Sequence, residues 1–370
     1  MKRIICAVVL FGTFAFGQKS EYQFTKVIDL TPTPVLSQGK TGTCWSFSTT
    51  SFLESEVKRL TGKEIDLSEM YAVRMTYPEK AYNYVYRQGK AQFSEGGLSH
   101  DVMNAVAKHG IEPNEVYLGM TPGKDTFDHS ELEKNLTVQL EKIVKDPKKN
   151  LKENWMNSIQ STLDEYMGKA PETFMYEGKE YTAKSFAAEL KIHAEDYVTL
   201  TSFTHHPNYS KFILEIPDNF SNGSYYNLPL DEYTQALNDA LHKGFTVALD
   251  ADVSEKTFSS QAGLAIWPSE GSEKDYFKVL LPEKSIDAEI RQKAFENYDT
   301  TDDHLMHITG ILKDQTGNLY YDVKNSWGTK DLGNGGHIYM SIPYFQMKSI
   351  AYTVHKDALS KELKKKLGIL

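Results

Sequence analysis

The sequence is poor in cysteine: 370 residues hold two, Cys6 and Cys44. Beyond the N-terminal segment it has no apolar run near the ~20 residues that cross a bilayer, and it shows no internal repeat. A basic surplus is also missing, with 41 Lys and Arg against 50 Asp and Glu and a formal net charge of −9. Each absence excludes something. Two cysteines cannot build a disulfide framework. An acidic balance argues against nucleic acid and anionic membrane as partners. Nothing in the composition suggests collagen, a coiled coil or long disorder. What remains is a chain long enough for one large domain or two lobes around a substantial core.

The N-terminus reads as a secretory signal peptide over residues 1–17. Lys2 and Arg3 precede the apolar run Ile4–Phe16, and Ala15-Phe16-Gly17 is a small-x-small cleavage site before Gln18. Export to the periplasm or the medium is the expectation, with no membrane insertion once the signal is removed. Cys6 lacks the context of a lipoprotein signal. Loss of Lys2 and Arg3 moves the net charge from −9 to −11. Cys44 is then the only thiol, and a lone cysteine outside the cytoplasm calls for a reason.

Its surroundings supply one. In Gln38-Gly39-Lys40-Thr41-Gly42-Thr43-Cys44-Trp45-Ser46-Phe47 a glutamine stands six residues ahead of the cysteine. From Trp45 the apolar residues Phe47, Phe52, Leu53, Val57 and Leu60 recur at helical spacing, and Gly62 is a natural stop. A thiol on the first turn of that helix is expected to be drawn towards the thiolate by the helix dipole. An arbitrary cysteine is more often a small buried hydrophobe, so the rest of the chain has to supply partners.

Further along, Ser68 is a plausible N-cap for a second helix. Tyr77 to Arg87 has no clear pattern, and Ser99 to Lys108 reads as a helix closing at Gly110. Residues from about 119 to 200 form a mostly helical insertion, with Leu132, Leu136, Leu140 and Ile143 on one face. Strands dominate afterwards. Phe245–Val253 reads as a buried strand, while Met306–Leu312 and Leu319–Asn325 read as two strands joined by a hairpin turn at Lys313–Asn318. Helices first and strands last predict an α+β fold of two lobes.

A thiolate nucleophile needs a base, an orienter and oxyanion donors. His304 opens one strand of the hairpin and Asn325 closes the other, so folding can bring them side by side. Gln38 can offer a side-chain N–H to an oxyanion, and the Cys44 backbone N–H a second. His304, His307, Asp302 and Asp303 could be read as a metal cluster, but positions 304 and 307 point to opposite faces of a strand. His205-His206 reads as a packed or hydrogen-bonded pair; Asp250 and Asp252 share a strand face and read as a strand end and turn ahead of a paired-carboxylate site, and Glu95 as a solvent-facing turn residue ahead of a contact to a substrate amine.

The chain resembles the papain-like cysteine peptidases. The resemblance rests on Gln-Gly-x-x-Gly-x-Cys-Trp-Ser-Phe, on Asp303-His304 followed by Gly310, and on Lys324-Asn-Ser-Trp-Gly-Thr. It implies a helical lobe carrying Cys44 and a β-barrel-like lobe carrying His304 and Asn325. It implies peptide substrates, with Cys44 as nucleophile, His304 as base and acid, Asn325 as orienter and Gln38 as oxyanion donor. Trp327 and Trp45 support these residues, with Trp327 shielding the Asn325–His304 bond, and Gly96 and Gly97 line the non-primed cleft. No metal and no cofactor is expected.

Thr41 and Ser94 stand where typical papain relatives carry a bridged cysteine pair. The strings at Thr201–Pro207, Asp250–Ser254 and Thr301–His304 look like the bleomycin hydrolase and aminopeptidase C branch. That branch implies aminopeptidase activity, often a homo-oligomer (a hexamer), and a C-terminal arm in the cleft. An endopeptidase with the same residues, or a catalytically silent binding protein, are the alternatives.

Overall fold

The computed structural model describes residues 20–369, so the expected signal segment lies outside the described residues. Cys44–Thr61 forms an 18-residue helix that ends at Gly62, whose φ of 74° is the left-handed cap glycine adopts easily. Its apolar positions Trp45, Phe47, Phe52, Leu53 and Val57 are all buried, as their spacing predicts. Two further helices pack beside it. Glu69–Tyr86 is capped by Ser68, whose hydroxyl accepts from Tyr71 N at 3.0 Å. It runs unbroken through the patternless stretch and past Pro78. Ser99–His109 ends at Gly110.

The last two-thirds of the chain supply most of an 11-stranded sheet. From one edge it runs Lys211–Ile213, Ser224–Asn227, Tyr197–Thr201, Ser349–His355, Val247–Ala251, His304–Asp314, Leu319–Lys324, His337–Ser341, Leu264–Ala265 and Phe258–Ser259. Phe24–Asp29, expected only as an extended lead-in, pairs antiparallel with the far end of His304–Asp314. The expected hairpin is present, with His307 opposite Lys324.

The end strands do not pair with each other, so this half is an open sheet and not the barrel-like lobe expected. Closure needs continuous ladders at both edges, and here the edge strands are three and two residues long.

Alternation along the central strands divides the molecule into two cores. Ala248 and Leu305 face the core that holds Trp45, Phe52 and Val57 of the cysteine helix. Val247, Leu249, Met306 and Ile308 face the opposite core, which also takes in the Leu230–His242 helix together with Leu363 and Leu367. Burial of such side chains stabilises by roughly 1.5–3 kcal/mol each.

Between residues 119 and 200 the helix Ser130–Lys145 buries Leu132, Leu136, Leu140 and Ile143 in the first core, and Met156–Met167 buries Ile159, Leu163 and Met167 there. Arg74 of the second helix reaches Asp164 at 2.6 Å. A hairpin that the helical pattern did not foretell, Phe174–Tyr176 with Lys179–Tyr181, follows.

The C-terminal helix Lys361–Leu367 packs on Leu230–His242, with Lys366 Nζ 3.1 Å from Glu232. Through Ile369 the tail therefore lies against the sheet face away from the cysteine helix, and not in the cleft as the arm of the branch would.

Candidate active site

Cys44 is the first residue of its helix, and no side chain caps that helix start. Thr43 adopts φ −103° and ψ 23°, and its hydroxyl pairs with that of Thr41 at 2.6 Å. First-turn N–H groups, which have no acceptor inside a helix, are thus left without a side-chain cap.

The loop before Cys44 is pinned to the segment after Asn325. Gln38 N donates to Ser326 O at 2.8 Å, Ser326 Oγ donates to Gln38 Oε1 at 2.6 Å, and Gly328 N donates to Leu36 O at 3.0 Å. Gln38 Nε2 gives one hydrogen to Thr41 O at 2.7 Å and keeps its second N–H. Ser326 was not singled out from the sequence, although it adjoins Asn325; only folding shows that it orients Gln38.

His304 and Asn325 are both buried, and His304 Nε2 lies 2.7 Å from Asn325 Oδ1. An amide oxygen can only accept, so Nε2 carries the hydrogen and Nδ1 is left as the basic nitrogen. Asn325 Oδ1 also accepts from Ser326 N at 2.7 Å, which fixes the amide. The Trp327 ring lies over the imidazole, with centroids 4.6 Å apart. The Cys44 thiol is seated against the Leu305 backbone, one residue from His304. No hydrogen bond joins it to the imidazole among the described residues.

Burial pushes the Cys44 thiol up to about 12, and the carboxylates of Asp302, Asp250 and Asp218 push it the same way. Burial also lowers His304 to about 4, against the pull of Asn325. Enclosure and the nearby acids thus act against the thiolate that the helix start favours.

The glycine loop meets the cysteine helix at two points. Gly42 N donates to Glu95 Oε2 at 2.5 Å, and Trp45 Nε1 donates to Glu95 O at 3.0 Å. Glu95 is therefore a tie between loops and not the solvent-facing turn residue expected. It joins the two segments where Thr41 and Ser94 replace a bridged pair.

A Cβ on Gly97 would meet the Trp45 ring at 3.0 Å, and one on Gly96 would fall 2.0 Å from Asp218 Oδ2. The Gly96 carbonyl is taken by the buried Lys80 ammonium. The Gly97 amide and carbonyl make no hydrogen bond among the described residues.

The remaining sequence candidates disperse. His307 turns to the cysteine helix, with Nδ1 2.9 Å from Ser51 Oγ, while His304 faces Trp327. His205 and His206 both reach Glu215, at 3.3 and 2.9 Å. Spacing had not pointed to that carboxylate, which hydrogen-bonds both rings. Asp252 is held by Lys348 at 3.2 Å and by Ser254, and Asp250 turns towards Asp302.

The Peptidase C1-like family matches residues 14–368. The chain is 24% identical over 376 residues to aminopeptidase C of Lactococcus lactis subsp. lactis, covering 90% of this chain and 83% of that protein. It is 27% identical over 398 residues to the mitochondrial cysteine proteinase 1 of Saccharomyces cerevisiae (strain YJM789), covering 93% and 79%. The crystal structure of PepW from Lactobacillus rhamnosis HN001 has the same fold, with TM-score 0.76 and 19% identity over 93% of this chain and 84% of that one. A cysteine at a helix start, a histidine–asparagine pair beneath a tryptophan and a family match along nearly the whole length lead to one conclusion: the chain belongs to the Peptidase C1-like family and is a cysteine-type peptidase.

Proposed function

We propose that the protein is an aminopeptidase in which Cys44, His304, Asn325 and Gln38 do the chemistry. The observation that carries the catalytic part is the 2.7 Å His304–Asn325 bond, which leaves Nδ1 as the basic nitrogen. Burial favours the neutral form of both partners, and attack is coupled to proton transfer. Cys44 Sγ bonds to the scissile carbonyl carbon as its proton passes to His304 Nδ1. The oxyanion takes the free N–H of Gln38 and the Cys44 backbone N–H. The C–N bond then breaks, and the imidazolium gives its proton to the leaving amine. Water, deprotonated by His304, releases the acyl group and restores the thiol. Trp327 keeps solvent from the His304–Asn325 bond, Trp45 supports the Gly97 backbone, and that backbone is free to pair with an extended peptide.

The preference for a free N-terminus is supported by the similarity to the Lactococcus aminopeptidase C. A second reading, an endopeptidase with the same residues, is favoured by one observation: the tail lies on the far face of the sheet and leaves the cleft open. Cys44→Ala is expected to abolish hydrolysis of a fluorogenic peptide amide with the melting temperature retained. Retained turnover would sink the assignment. The same peptide with free and acetylated N-termini separates the two readings, since faster cleavage of the acetylated form selects the endopeptidase. Export with cleavage before Gln18, and assembly into hexamers, belong to this proposal on the strength of the N-terminal pattern and the branch resemblance. The N-terminal mass and the sedimentation coefficient of the purified protein test them.

A further inference from the structure

Three side chains that the peptide chemistry does not use converge where the loop after Tyr197–Thr201 meets the segment after the edge strand Lys211–Ile213. His205 Nε2 lies 3.3 Å from Glu215 Oε2, and His206 Nε2 lies 2.9 Å from Glu215 Oε1. One donor atom from each of the three falls within 4.8 Å of the other two. Two imidazoles and one carboxylate are a donor set that suits zinc and its neighbours in the first transition series. Around Zn2+, at bond lengths of about 2.0–2.1 Å, donors at the corners of a tetrahedron stand roughly 3.3 Å apart. The observed separations need only small side-chain shifts to reach that figure.

The donors are held from behind. Asn227, fully buried, clamps the backbone of the histidine pair: its Oδ1 accepts from Phe203 N at 2.9 Å, and its Nδ2 donates to Phe203 O at 2.7 Å and to His206 O at 2.9 Å. The His206 ring stacks on Phe212 with centroids 4.0 Å apart, and the His205 ring lies nearly parallel to Phe295 at 5.7 Å. Glu215 stands between two buried residues, Leu214 and Ile216, and the Leu214 carbonyl accepts from Asn219 Nδ2 at 2.9 Å.

A metal-bound histidine also needs a partner on its other ring nitrogen, and Gln292 supplies it for His205. This buried side chain from Ala288–Glu296 places Nε2 3.0 Å and Oε1 3.4 Å from His205 Nδ1. A carboxylate only accepts, so against Glu215 the His205 ring donates from Nε2 and its Nδ1 accepts from Gln292 Nε2. Ligation through Nε2 moves that hydrogen to Nδ1, where Gln292 Oε1 can take it. One amide thus serves both tautomers, and a metal ion replaces the hydrogens that lie between the two rings and the carboxylate.

We propose that His205, His206 and Glu215 form a site for a divalent transition-metal ion, with Zn2+ the best match to the donors. Three protein ligands leave a fourth position for water. The ion clips together the two ends of the segment 206–215, which carries the three-residue strand at the edge of the sheet. Its role is structural, and the inference goes beyond the peptidase reading, since it uses none of Cys44, His304 or Asn325.

Metal titration tests it in the full-length chain carrying Cys44→Ala and no histidine tag, because a thiol beside an imidazole binds zinc in its own right. After treatment with EDTA, calorimetry with Zn2+ is expected to show one saturable site per chain. Zn2+ at a hundredfold excess over Kd is expected to raise the melting temperature by about 3–5 °C. Glu215→Gln, at an exposed position, and His206→Ala are each expected to weaken the site tenfold or more. The absence of a saturable site overturns the inference, as does an affinity unchanged in either variant; the three side chains are then a hydrogen-bonded group only. Mg2+ binding as tightly as Zn2+ overturns it too, since imidazole donors do not suit that ion. Peptide hydrolysis by the chain with Cys44 intact is a separate readout, so the failure of one reading leaves the other standing.

Discussion

Asn325 holds His304 through one hydrogen bond, and that bond decides which ring nitrogen is left basic. Removing it leaves the imidazole free to rotate and to choose the wrong tautomer, while the substrate's own contacts stay in place. Asn325→Ala is therefore expected to lower kcat about 100-fold, the scale of a small misplacement of a reacting group, with little change in KM. Steady-state kinetics on one fluorogenic peptide checks this, and a change confined to KM would contradict the orienting role. The same scale sets the helix dipole against burial at Cys44. A dipole contributes roughly 0.3–1 kcal/mol at a helix end. Burial and three nearby carboxylates act in the opposite direction and push the thiol up to about 12.

At the scale of elements, the loop before Cys44 and the glycine loop are joined by Glu95 in place of a disulfide. The carboxylate accepts from Gly42 N at 2.5 Å, and the Glu95 carbonyl accepts from Trp45 Nε1 at 3.0 Å. Glu95→Ala removes the acceptor of the exposed Gly42 amide, at a cost of about 0.5–1.5 kcal/mol. Glu95→Gln keeps an acceptor in reach and is expected to recover much of the loss. Denaturant unfolding of the two variants distinguishes a structural tie from a turn residue, for which both substitutions would be close to neutral.

At the scale of the whole molecule, acidic groups gathered from separate segments set a pH dependence. Asp302, half-buried, is raised from 3.8 to about 7, first by burial and then by Asp218. The folded chain thus holds a proton that the unfolded chain has released between those values. The stabilisation from that proton is present below about 4 and is lost as pH rises through about 7. Asp302→Asn removes the effect. It is expected to raise the melting temperature by ~2–4 °C at pH 8 and by less at pH 4.5, as read by thermal melts at both pH values. A gain that is larger at the acidic pH would reverse the assigned sign.

Read alone, the sequence determined the parts that are local. Gln38 and Cys44 lie on one continuous stretch, and the spacing from Trp45 to Leu60 with Gly62 behind it specifies a helix with Cys44 at its start. The turn at Lys313–Asn318 specifies the hairpin that carries His304 and the segment ending at Asn325. What only the tertiary structure decided depends on contacts between distant segments. Asp250 reads as an ordinary strand end until Asp302, fifty-two residues on, is folded against it. Glu95 reads as a surface turn until the Cys44 loop is laid over it. The sheet is open because short edge strands end its ladders, and the tail docks on Leu230–His242 because Leu363 and Leu367 find an apolar face there. Periodicity records which side of an element is apolar; it does not record which element will cover that side, nor which charges the covering brings together.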